Sequence, residues 1–255
     1  MSIFLILTNL LILLVVFVVL WKVRSVHLYL YDLKTLINNS KTLYAQIESL
    51  IGLYNELKFS KSLQKTRGWA GSPDFLLFIA KVAQSKNPMV IIECSSGVST
   101  VVLAQCLKLN GQGHLYSLEH DSFFAEQTRM ELKRHQLDEW STVVDAPLKH
   151  YYINDQEWLW YSLDNLPKNL EVDMIVIDGP PFHIQNLARY PAGPLLFNML
   201  NKSGSVILDD AAREEEQKIL KIWKKEFPRL TEFNANCEKG CVLLIYDESK
   251  GKMHS

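Results

Sequence analysis

Short apolar runs that alternate with helical patterns constrain this chain more than any other feature of its sequence. The first run, at residues 89–94, leads through a turn of small residues into a helical period at 98–104, and similar units follow. Strands separated by helices form a parallel sheet with right-handed crossovers. We therefore predict an α/β fold with a mostly parallel sheet.

The boundaries of the predicted elements come from turn residues and caps. Ser72-Pro73-Asp74 is a typical helix start and precedes a helix predicted at 75–84. The last two runs flank a short Glu238-Lys239-Gly240 turn and predict an antiparallel hairpin at the end of the sheet. The strands are predicted at residues 89–94, 114–119, 142–145, 172–178, 205–209, 229–236 and 241–246.

Length, charge and cysteine spacing exclude several functions. The chain has 255 residues and a formal net charge of −1, from 27 Lys and Arg and 28 Asp and Glu. About 185 residues remain beyond the N-terminal segments, enough for one domain. No basic run is long enough to follow a phosphate backbone, so we expect no nucleic-acid ligand. The four cysteines lack zinc-site spacing and are expected to be reduced thiols.

The N-terminal segment, residues 1–24, predicts a membrane anchor. Residues 3–21 are almost entirely apolar, close to the roughly 20 residues that cross a bilayer. The basic residues Lys22 and Arg24 follow this run, which predicts a single-pass membrane protein with a cytoplasmic globular domain. A cleaved signal peptide is disfavoured because the start lacks basic residues. The remaining alternative is a buried core helix.

The next segment, residues 25–62, predicts an amphipathic helix. It fits a short coiled coil that forms a homodimer through residues 33–57, or a helix that lies on its own domain or on the bilayer surface. Residues 63–255 then form the globular domain. The apolar face of this helix is a stripe of residues spaced three, four or seven apart: Leu33, Leu36, Leu43, Ile47, Leu50, Tyr54 and Leu57.

Every predicted parallel strand ends at an acidic residue. Ligands of open parallel sheets bind at this carboxyl edge. A dinucleotide site needs a loop of three glycines, whereas the first loop keeps only Gly97, so a nicotinamide-dependent oxidoreductase is disfavoured. A cationic or hydroxyl-rich ligand suits the edge better. The acids are Glu93, Glu119, Asp145, Asp178 and the pair Asp209-Asp210.

The loop Glu93-Cys94-Ser95-Ser96-Gly97-Val98-Ser99-Thr100 resembles the first motif of class I S-adenosylmethionine-dependent methyltransferases. Glu119 is similar to the family's ribose-binding acid, Asp145-Ala146 to its adenine border, and Asp178-Gly179-Pro180-Pro181 to its motif beside the methyl group. The resemblance, roughly from Pro73 to Asp247, implies a Rossmann-like three-layer sandwich with a seven-stranded sheet. It also implies cofactor binding by Glu93, Ser95, Ser96, Gly97, Ser99, Thr100, Glu119, Asp145, Ala146 and Asp178.

Ser95 departs from the family pattern, which usually has glycine where the backbone comes closest to the methionine part of the cofactor. We expect Ser95 to adopt a negative φ, which would let its hydroxyl add a hydrogen bond.

Methyl transfer to a hydroxyl needs a group that accepts its proton, and Asp178, Asp209 and His183 are the candidates. The carboxylates of Asp178, Asp209 and Asp210 also resemble the Mg²⁺ site of catechol-type O-methyltransferases, where the last position is commonly Asn. Alternatively, Asp210 caps the helix that follows.

Two further groups keep alternative interpretations. Arg189 either positions an acidic or sugar-like acceptor or pairs with an aspartate. The aromatic residues either form an acceptor wall or belong to the core. They are Trp69, Trp158, Trp160 and Tyr161.

The sequence therefore predicts a membrane-anchored, S-adenosylmethionine-dependent methyltransferase that acts on a hydroxyl of a small or membrane-associated acceptor, including lipid-linked or sugar-linked ones. The alternative is an inactive, membrane-tethered scaffold that keeps the same fold.

Overall fold

A computed structural model describes residues 3–68 and 70–246 and divides the chain into two compact units that meet at residues 47 and 48. The first unit is part of one continuous helix, α1 (Ile3–Leu57), where the sequence indicated two segments. Among the described residues α1 is the one helix long and apolar enough to cross a membrane. Trp69 and residues 247–255, which belong to the predicted domain, lie outside the described residues.

The second unit contains the other elements. Its helices are α2 (Pro73–Lys86), α3 (Val98–Asn110), α4 (Ser122–His135), α5 (Ala192–Leu196), which continues as a 3₁₀ turn at Phe197–Met199, and α6 (Glu214–Glu226). Its strands are β1 (Val90–Cys94), β2 (His114–Glu119), β3 (Ser141–Asp145), β4 (Leu148–Ile153), β5 (Gln156–Tyr161), β6 (Val172–Ile177), β7 (Leu200–Asp209), β8 (Leu230–Ala235) and β9 (Cys241–Tyr246).

Seven of these strands form one sheet in the order β3-β2-β1-β6-β7-β9-β8. Strands β1, β2, β3, β6 and β7 are parallel, whereas β9 runs antiparallel to both β7 and β8. The predicted α/β fold with a terminal antiparallel hairpin is confirmed. The strand order reverses beside β1, so the loops after β1 and β6 diverge there and leave room for a ligand.

The sheet is covered on both faces. Successive strand residues point to opposite sides: Ile91 packs in a core cluster with residues of α2 and α3, and Ile92 packs in the other cluster with Trp160 and Trp223. Burial of both faces explains why these strands are continuous apolar runs rather than alternating ones. The result is the predicted three-layer sandwich.

Strands β4 and β5 form a separate two-stranded sheet, which the sequence analysis missed. Asn154 and Asp155 join them with φ of 51° and 60°, as a two-residue hairpin turn requires. Three aromatic residues on β5 are at most 5% exposed and belong to the core, as the second of the two interpretations held. They are Trp158, Trp160 and Tyr161.

The amphipathic stripe of α1 has two different environments. Within the second unit, Leu53 and Leu57 are fully buried and pack in the core cluster that contains α2 and α3. Leu36 and Leu43, by contrast, are 61% and 50% exposed. The end of the stripe therefore packs on its own domain, and a dimer seam cannot extend to Leu57.

Candidate active site

The loop after β1 is fastened to the end of β2. The backbone N–H of Ser95 donates to the carbonyl of Leu118 at 3.0 Å. Both the N–H and the hydroxyl of Ser96 donate to Glu119 Oε2, at 3.1 and 2.9 Å. The first motif and the predicted ribose acid therefore adjoin, as their resemblance to the family implied.

Ser95 has a φ of +115°, so the expectation of a negative φ was wrong. A non-glycine residue in such a region is strained by roughly 1–3 kcal/mol. The loop thus keeps the backbone path that glycine serves in the family. Gly97, with a φ of +151°, leaves open space, because a Cβ there would meet no described atom within 4 Å.

Glu93 is fully buried beneath this loop. It accepts hydrogen bonds from Ser117 Oγ and, at 2.7 Å, from Thr100 Oγ1, which itself accepts from the N–H of Gly97 at 2.9 Å. Burial raises the pKa of Glu93 to about 7, against the opposing hydrogen bonds of Ser117, Ser99 and Thr100. Ser99 and Thr100 are themselves buried, and their assignment to cofactor binding stays a prediction.

Glu119 lies in a different environment. Its Oε1 accepts from the N–H groups of His120 and Asp121 at 2.9 and 3.1 Å, and Oε2 accepts from Ser96. Burial raises the pKa of Glu119, but hydrogen bonds from His120, Asp121 and Ser96 outweigh burial and hold it below its ordinary value. The carboxylate is therefore ionised at neutral pH.

The two residues predicted to border the adenine take different orientations. The side chain of Asp145 is 64% exposed and pairs with Arg129 at 2.6 Å, so it does not face the loop after β1. The reason is that Arg129, on α4, reaches the end of β3 from the outside. Ala146 is buried, and its N–H donates to the carbonyl of Glu119 at 2.7 Å.

Three acids converge at the ends of β6 and β7, as the sequence indicated. One oxygen each from Asp178, Asp209 and Asp210 lies within 4.8 Å of the others. Asp209 and Asp210 are 1% and 3% exposed, and one buried oxygen of each, Oδ1, accepts no hydrogen bond from any described residue.

The guanidinium of Arg189 lies among these acids. It is 2.8 Å from Asp210 Oδ2 and 3.1 Å from Asp178 Oδ1. It also donates to the backbone carbonyls of Asp209 and Asp178, at 2.7 and 3.0 Å. Arg189 is 4% exposed, so of its two predicted roles the structure has the pairing with aspartates.

The alternative role of Asp210 as a helix cap was wrong. Helix α6 begins at Glu214 with Arg213 at its cap position, four residues beyond Asp210. Asp210 instead has a φ of 55°, and its carboxylate pairs with Arg189 and, at 3.0 Å, with Arg213. The turn at 210–213 directs the carboxylate back into the acidic cluster.

The acids of the cluster titrate differently. Burial raises the pKa of Asp178 to about 6, with Arg189 opposing this effect. Burial and the neighbouring Asp178 and Asp210 raise the pKa of Asp209 well above its ordinary value. Asp178 therefore changes charge close to neutral pH, and burial favours the protonated form of Asp209 more than its ordinary pKa would.

The cluster fits a divalent metal poorly, although three carboxylates converge. Two oxygens of the cluster, Asp178 Oδ1 and Asp210 Oδ2, already bind the guanidinium, and the buried Oδ1 atoms of Asp209 and Asp210 have no partner among the described residues. A dication about 4 Å from this fixed charge would be repelled by about 8 kcal/mol at an effective dielectric constant of about 20. Two backbone carbonyls hold Arg189 in place, so it cannot move aside without losing both hydrogen bonds.

His183 is exposed in the loop after Pro181, and its ring meets Phe182 edge-on at 5.9 Å. Its assignment as a proton acceptor stays a prediction.

The sequence analysis missed the central position of Arg189 and the approach of Tyr161 to this edge. A signal for Arg189 was present, because it is a lone cation within the otherwise uncharged segment 186–199. The sequence signal for Tyr161 was weaker, because its position at this edge depends on the hairpin turn at 154–155.

Comparison with known proteins identifies the class. Residues 92–211 match the family model described as a methyltransferase domain. The O-methyltransferase from Bacillus cereus in complex with SAH is similar, with a TM-score of 0.55 and 18% identity over 80% of this chain and 91% of that one. Residues 92–211 therefore match a methyltransferase domain, and the chain has the class I methyltransferase fold.

Two other solved structures agree on this fold. The SAH-bound methyltransferase PaMTH1 from Podospora anserina has a TM-score of 0.54 and 14% identity over 78% of this chain and 88% of that one. The O-methyltransferase TomG from Streptomyces achromogenes, in complex with SAM, has a TM-score of 0.51 and 14% identity over 80% and 89% of the two chains. No curated protein sequence matches this chain significantly.

The burial of Glu93 predicts a pH-dependent stability. Because its pKa is raised from 4.5 to about 7 on folding, protonated Glu93 stabilises the fold below about pH 4.5, and this contribution is lost as the pH rises through 7. The loss amounts to roughly 3 kcal/mol. Denaturant titrations between pH 5 and 8 should show Glu93→Gln with a flatter decline in unfolding free energy than the parent. An equal decline in both proteins would contradict the assignment.

Proposed function

We propose that this protein is an S-adenosylmethionine-dependent O-methyltransferase. The observation that carries the proposal is the contact of Ser96 with Glu119, which joins the loop after β1 to an ionised acid at the same sheet edge as the Asp178 cluster. The similarity to structures described as O-methyltransferases with bound SAH or SAM supports this cofactor and this reaction.

The residues at this edge suit the cofactor. S-adenosylmethionine supplies a methyl group on a positively charged sulfonium, together with a ribose diol, an ammonium and a carboxylate. Glu119 would accept from the ribose hydroxyls, because a carboxylate exchanges its backbone donors for others of similar strength. The open space beside Gly97 leaves the first loop accessible to the ligand. Asp178 and Asp210 give this edge a negative potential that favours a cation.

Asp178 is the proposed proton acceptor. It stands directly after β6, and its side chain is 13% exposed, more than those of Asp209 and Asp210. A pKa of about 6 lets Asp178 be ionised at neutral pH yet still accept a proton. In the proposed reaction the acceptor oxygen would bond to the methyl carbon as the methyl–sulfur bond breaks and S-adenosylhomocysteine leaves, and the proton of the acceptor would pass to the Asp178 carboxylate. Arg189 holds Asp178 in position through its guanidinium.

We further propose that this transfer proceeds without Mg²⁺, the alternative cofactor considered from the sequence. Arg189 supplies a permanent positive charge within the same cluster of carboxylates, where it binds Asp178 Oδ1 and Asp210 Oδ2. Methyl transfer then depends on proton acceptance by Asp178 rather than on metal-assisted ionisation of the acceptor.

The proposed acceptor is apolar or carried by a lipid. Three phenylalanines that follow β2 and β6 at the ligand edge are 54–62% exposed, which suits an apolar acceptor better than a highly charged one. They are Phe123, Phe124 and Phe182. A domain tethered to a bilayer meets such acceptors at high local concentration. The alternative acceptor is a small hydroxylated molecule, free or sugar-linked, which would be methylated on the same kind of group.

The membrane attachment is also a proposal. Helix α1 contains a window with a mean hydropathy of 3.2, none of it buried, which suits a lipid-facing span. The basic residues Lys22 and Arg24 after this span favour a cytoplasmic domain. Leu36 and Leu43, both exposed, lie seven residues apart and suit pairing with a second copy held in the same membrane.

An inactive, tethered scaffold is the second candidate. The observation in its favour is the strained Ser95, because a loop that relaxes when no cofactor is bound must be strained again on binding, which lowers cofactor affinity. Direct measurement of cofactor binding separates the two candidates.

Glu119→Ala should weaken binding of S-adenosylhomocysteine by the full-length protein in detergent by roughly 30- to 150-fold, because a charge-assisted hydrogen-bonding pair is lost. Isothermal calorimetry measures this without knowledge of the acceptor. The matched control is Glu126→Ala, an exposed acid on α4, which should leave affinity unchanged. If the parent protein binds neither cofactor nor product at millimolar concentration, the proposal of an enzyme is wrong and the inactive scaffold is the better candidate.

Asp178→Asn should reduce turnover far more than cofactor affinity, because proton acceptance is expressed in the transition state. In the parent, transfer of labelled methyl groups to a membrane extract should rise with pH through about 6 as Asp178 ionises. Chelation of divalent ions should leave the rate unchanged. A rate that disappears with chelator and returns with Mg²⁺ would overturn metal-free transfer.

The full-length protein should fractionate with membranes and resist extraction by salt, since about 20 apolar residues are long enough to span. Protease added to intact cells should leave the globular domain uncut. Cross-linking in membranes should yield dimers that Leu43→Lys abolishes. Release by salt would contradict the span, and an absence of dimers in the unmutated protein would contradict the pairing.

A further inference from the structure

The hydroxyl of Tyr161 is buried without a partner. Tyr161, the last residue of β5, is fully buried, and its Oη finds no hydrogen-bond partner among residues 3–68 and 70–246. Leaving a buried polar group unsatisfied costs about 1–3 kcal/mol. Phenylalanine would fill the same space without this cost, so packing alone does not account for a tyrosine here.

The hydroxyl lies where the two ligand loops meet. A Cβ built on Gly179 would lie 2.3 Å from Tyr161 Oη and 3.0 Å from the Cβ of Ser95. Gly179 follows Asp178 at the end of β6, and Ser95 follows β1. The phenol oxygen therefore approaches the narrow space between the first motif and the proposed proton acceptor, the region where the reacting end of a ligand must lie.

A second tyrosine of the hairpin, the half-buried Tyr151, behaves differently. The hydroxyl of Tyr151 donates to the backbone carbonyl of Tyr161 at 3.0 Å and accepts from the N–H of Leu163 at 3.2 Å. Tyr151 is thus a structural tyrosine with its hydrogen bonds complete. The contrast between two tyrosines on one hairpin indicates that the Tyr161 hydroxyl has a partner that the folded chain itself does not supply.

We propose that the Tyr161 hydroxyl oxygen contacts the sulfonium and methyl group of S-adenosylmethionine. This inference rests on the proposed function. A phenol oxygen carries lone pairs that attract the polarised C–H bonds of a methyl group on a cation. Tyr161 binds and orients the methyl group and takes no proton, since burial raises the pKa of Tyr161 well above its ordinary value and keeps the phenol neutral.

The hairpin explains how the contact is positioned. Tyr161 ends β5, and the rings of Trp160 and His120 meet it edge-on at 5.3 and 5.8 Å. These contacts fix the ring plane, so the hydroxyl is held before a ligand arrives. The β4–β5 hairpin, inserted between β3 and β6, therefore adds one polar atom to the site of the parallel sheet.

Tyr161→Phe tests the proposal in the full-length protein. Calorimetry should show the affinity for S-adenosylmethionine falling by roughly 3- to 10-fold, while that for S-adenosylhomocysteine changes less than about 2-fold, because the product lacks the methyl cation. A structural role would change both affinities together. Equal changes, or no change in either, would overturn the proposal.

Stability supplies the second readout. Removing an unsatisfied hydroxyl should leave the thermal midpoint of Tyr161→Phe unchanged or higher, whereas Tyr151→Phe, which loses two hydrogen bonds, should lower it. A lower midpoint for Tyr161→Phe would show that the chain already satisfies this hydroxyl, against the proposal. Failure of the parent protein to bind either compound would refute the proposed function instead, so the two failures are distinguishable.

Discussion

The buried guanidinium of Arg189 is the interaction on which the ligand edge depends. Strands β6 and β7 deliver Asp178, Asp209 and Asp210 to one place, and Glu216 of α6 approaches to 3.7 Å. Among the described residues, Arg189 and Arg213 form ion pairs within this cluster, which leaves two formal negative charges in it if all four acids ionise, and the charge of Lys239 also lowers the pKa of Asp178. Loss of Arg189 would leave buried carboxylates facing each other, a change that costs several kcal/mol in proteins. Burial is the main cause of the raised pKa values of Asp178, Asp209 and Glu216, and the charges of neighbouring acids add to it.

The balance between burial and hydrogen bonding also assigns different roles to Glu93 and Glu119, which lie at the ends of neighbouring strands. Glu93 lies under the loop, where burial dominates and raises its pKa to about 7. Glu119 is reached by backbone N–H groups that favour the charged form, so its pKa lies below the ordinary value. The environment, and not the residue type, thus separates a structural acid from one able to bind a ligand. Ser96 couples the two, since it donates to Glu119 from the loop that Glu93 supports through Thr100.

The sequence predicted the sheet well because burial on both faces leaves a strong signal. Each central strand is a continuous apolar run, and each ends at an acid, which located the ligand edge to within a residue. Side-chain orientation was less predictable. Asp145 ends its strand like Glu119, yet Arg129 draws it outward, and no local pattern encodes that long-range pair. The predicted sign of φ at Ser95 was wrong, because the prediction followed the usual preference of serine, whereas the loop holds Ser95 at a positive φ. The β4–β5 hairpin was missed because its turn residues, Asn154 and Asp155, include no glycine, and its aromatic residues were considered only as core, the favoured interpretation, or as an acceptor wall.

The features that weaken this fold concentrate at one edge of the sheet, and this argues for a ligand there. Ser95 is held at a positive φ, Tyr161 buries a hydroxyl without a described partner, and Asp209 buries a carboxyl group. Each has a simple alternative that would relieve the cost: glycine, phenylalanine and asparagine, respectively. Strain and unsatisfied polar groups of this kind persist where function requires them. A scaffold that only presents its surface would gain stability from all three replacements and lose nothing. A bound ligand would use the loop path at Ser95, the hydroxyl of Tyr161 and the carboxyl group of Asp209, so their coincidence at the strand ends favours a ligand site over a purely structural role.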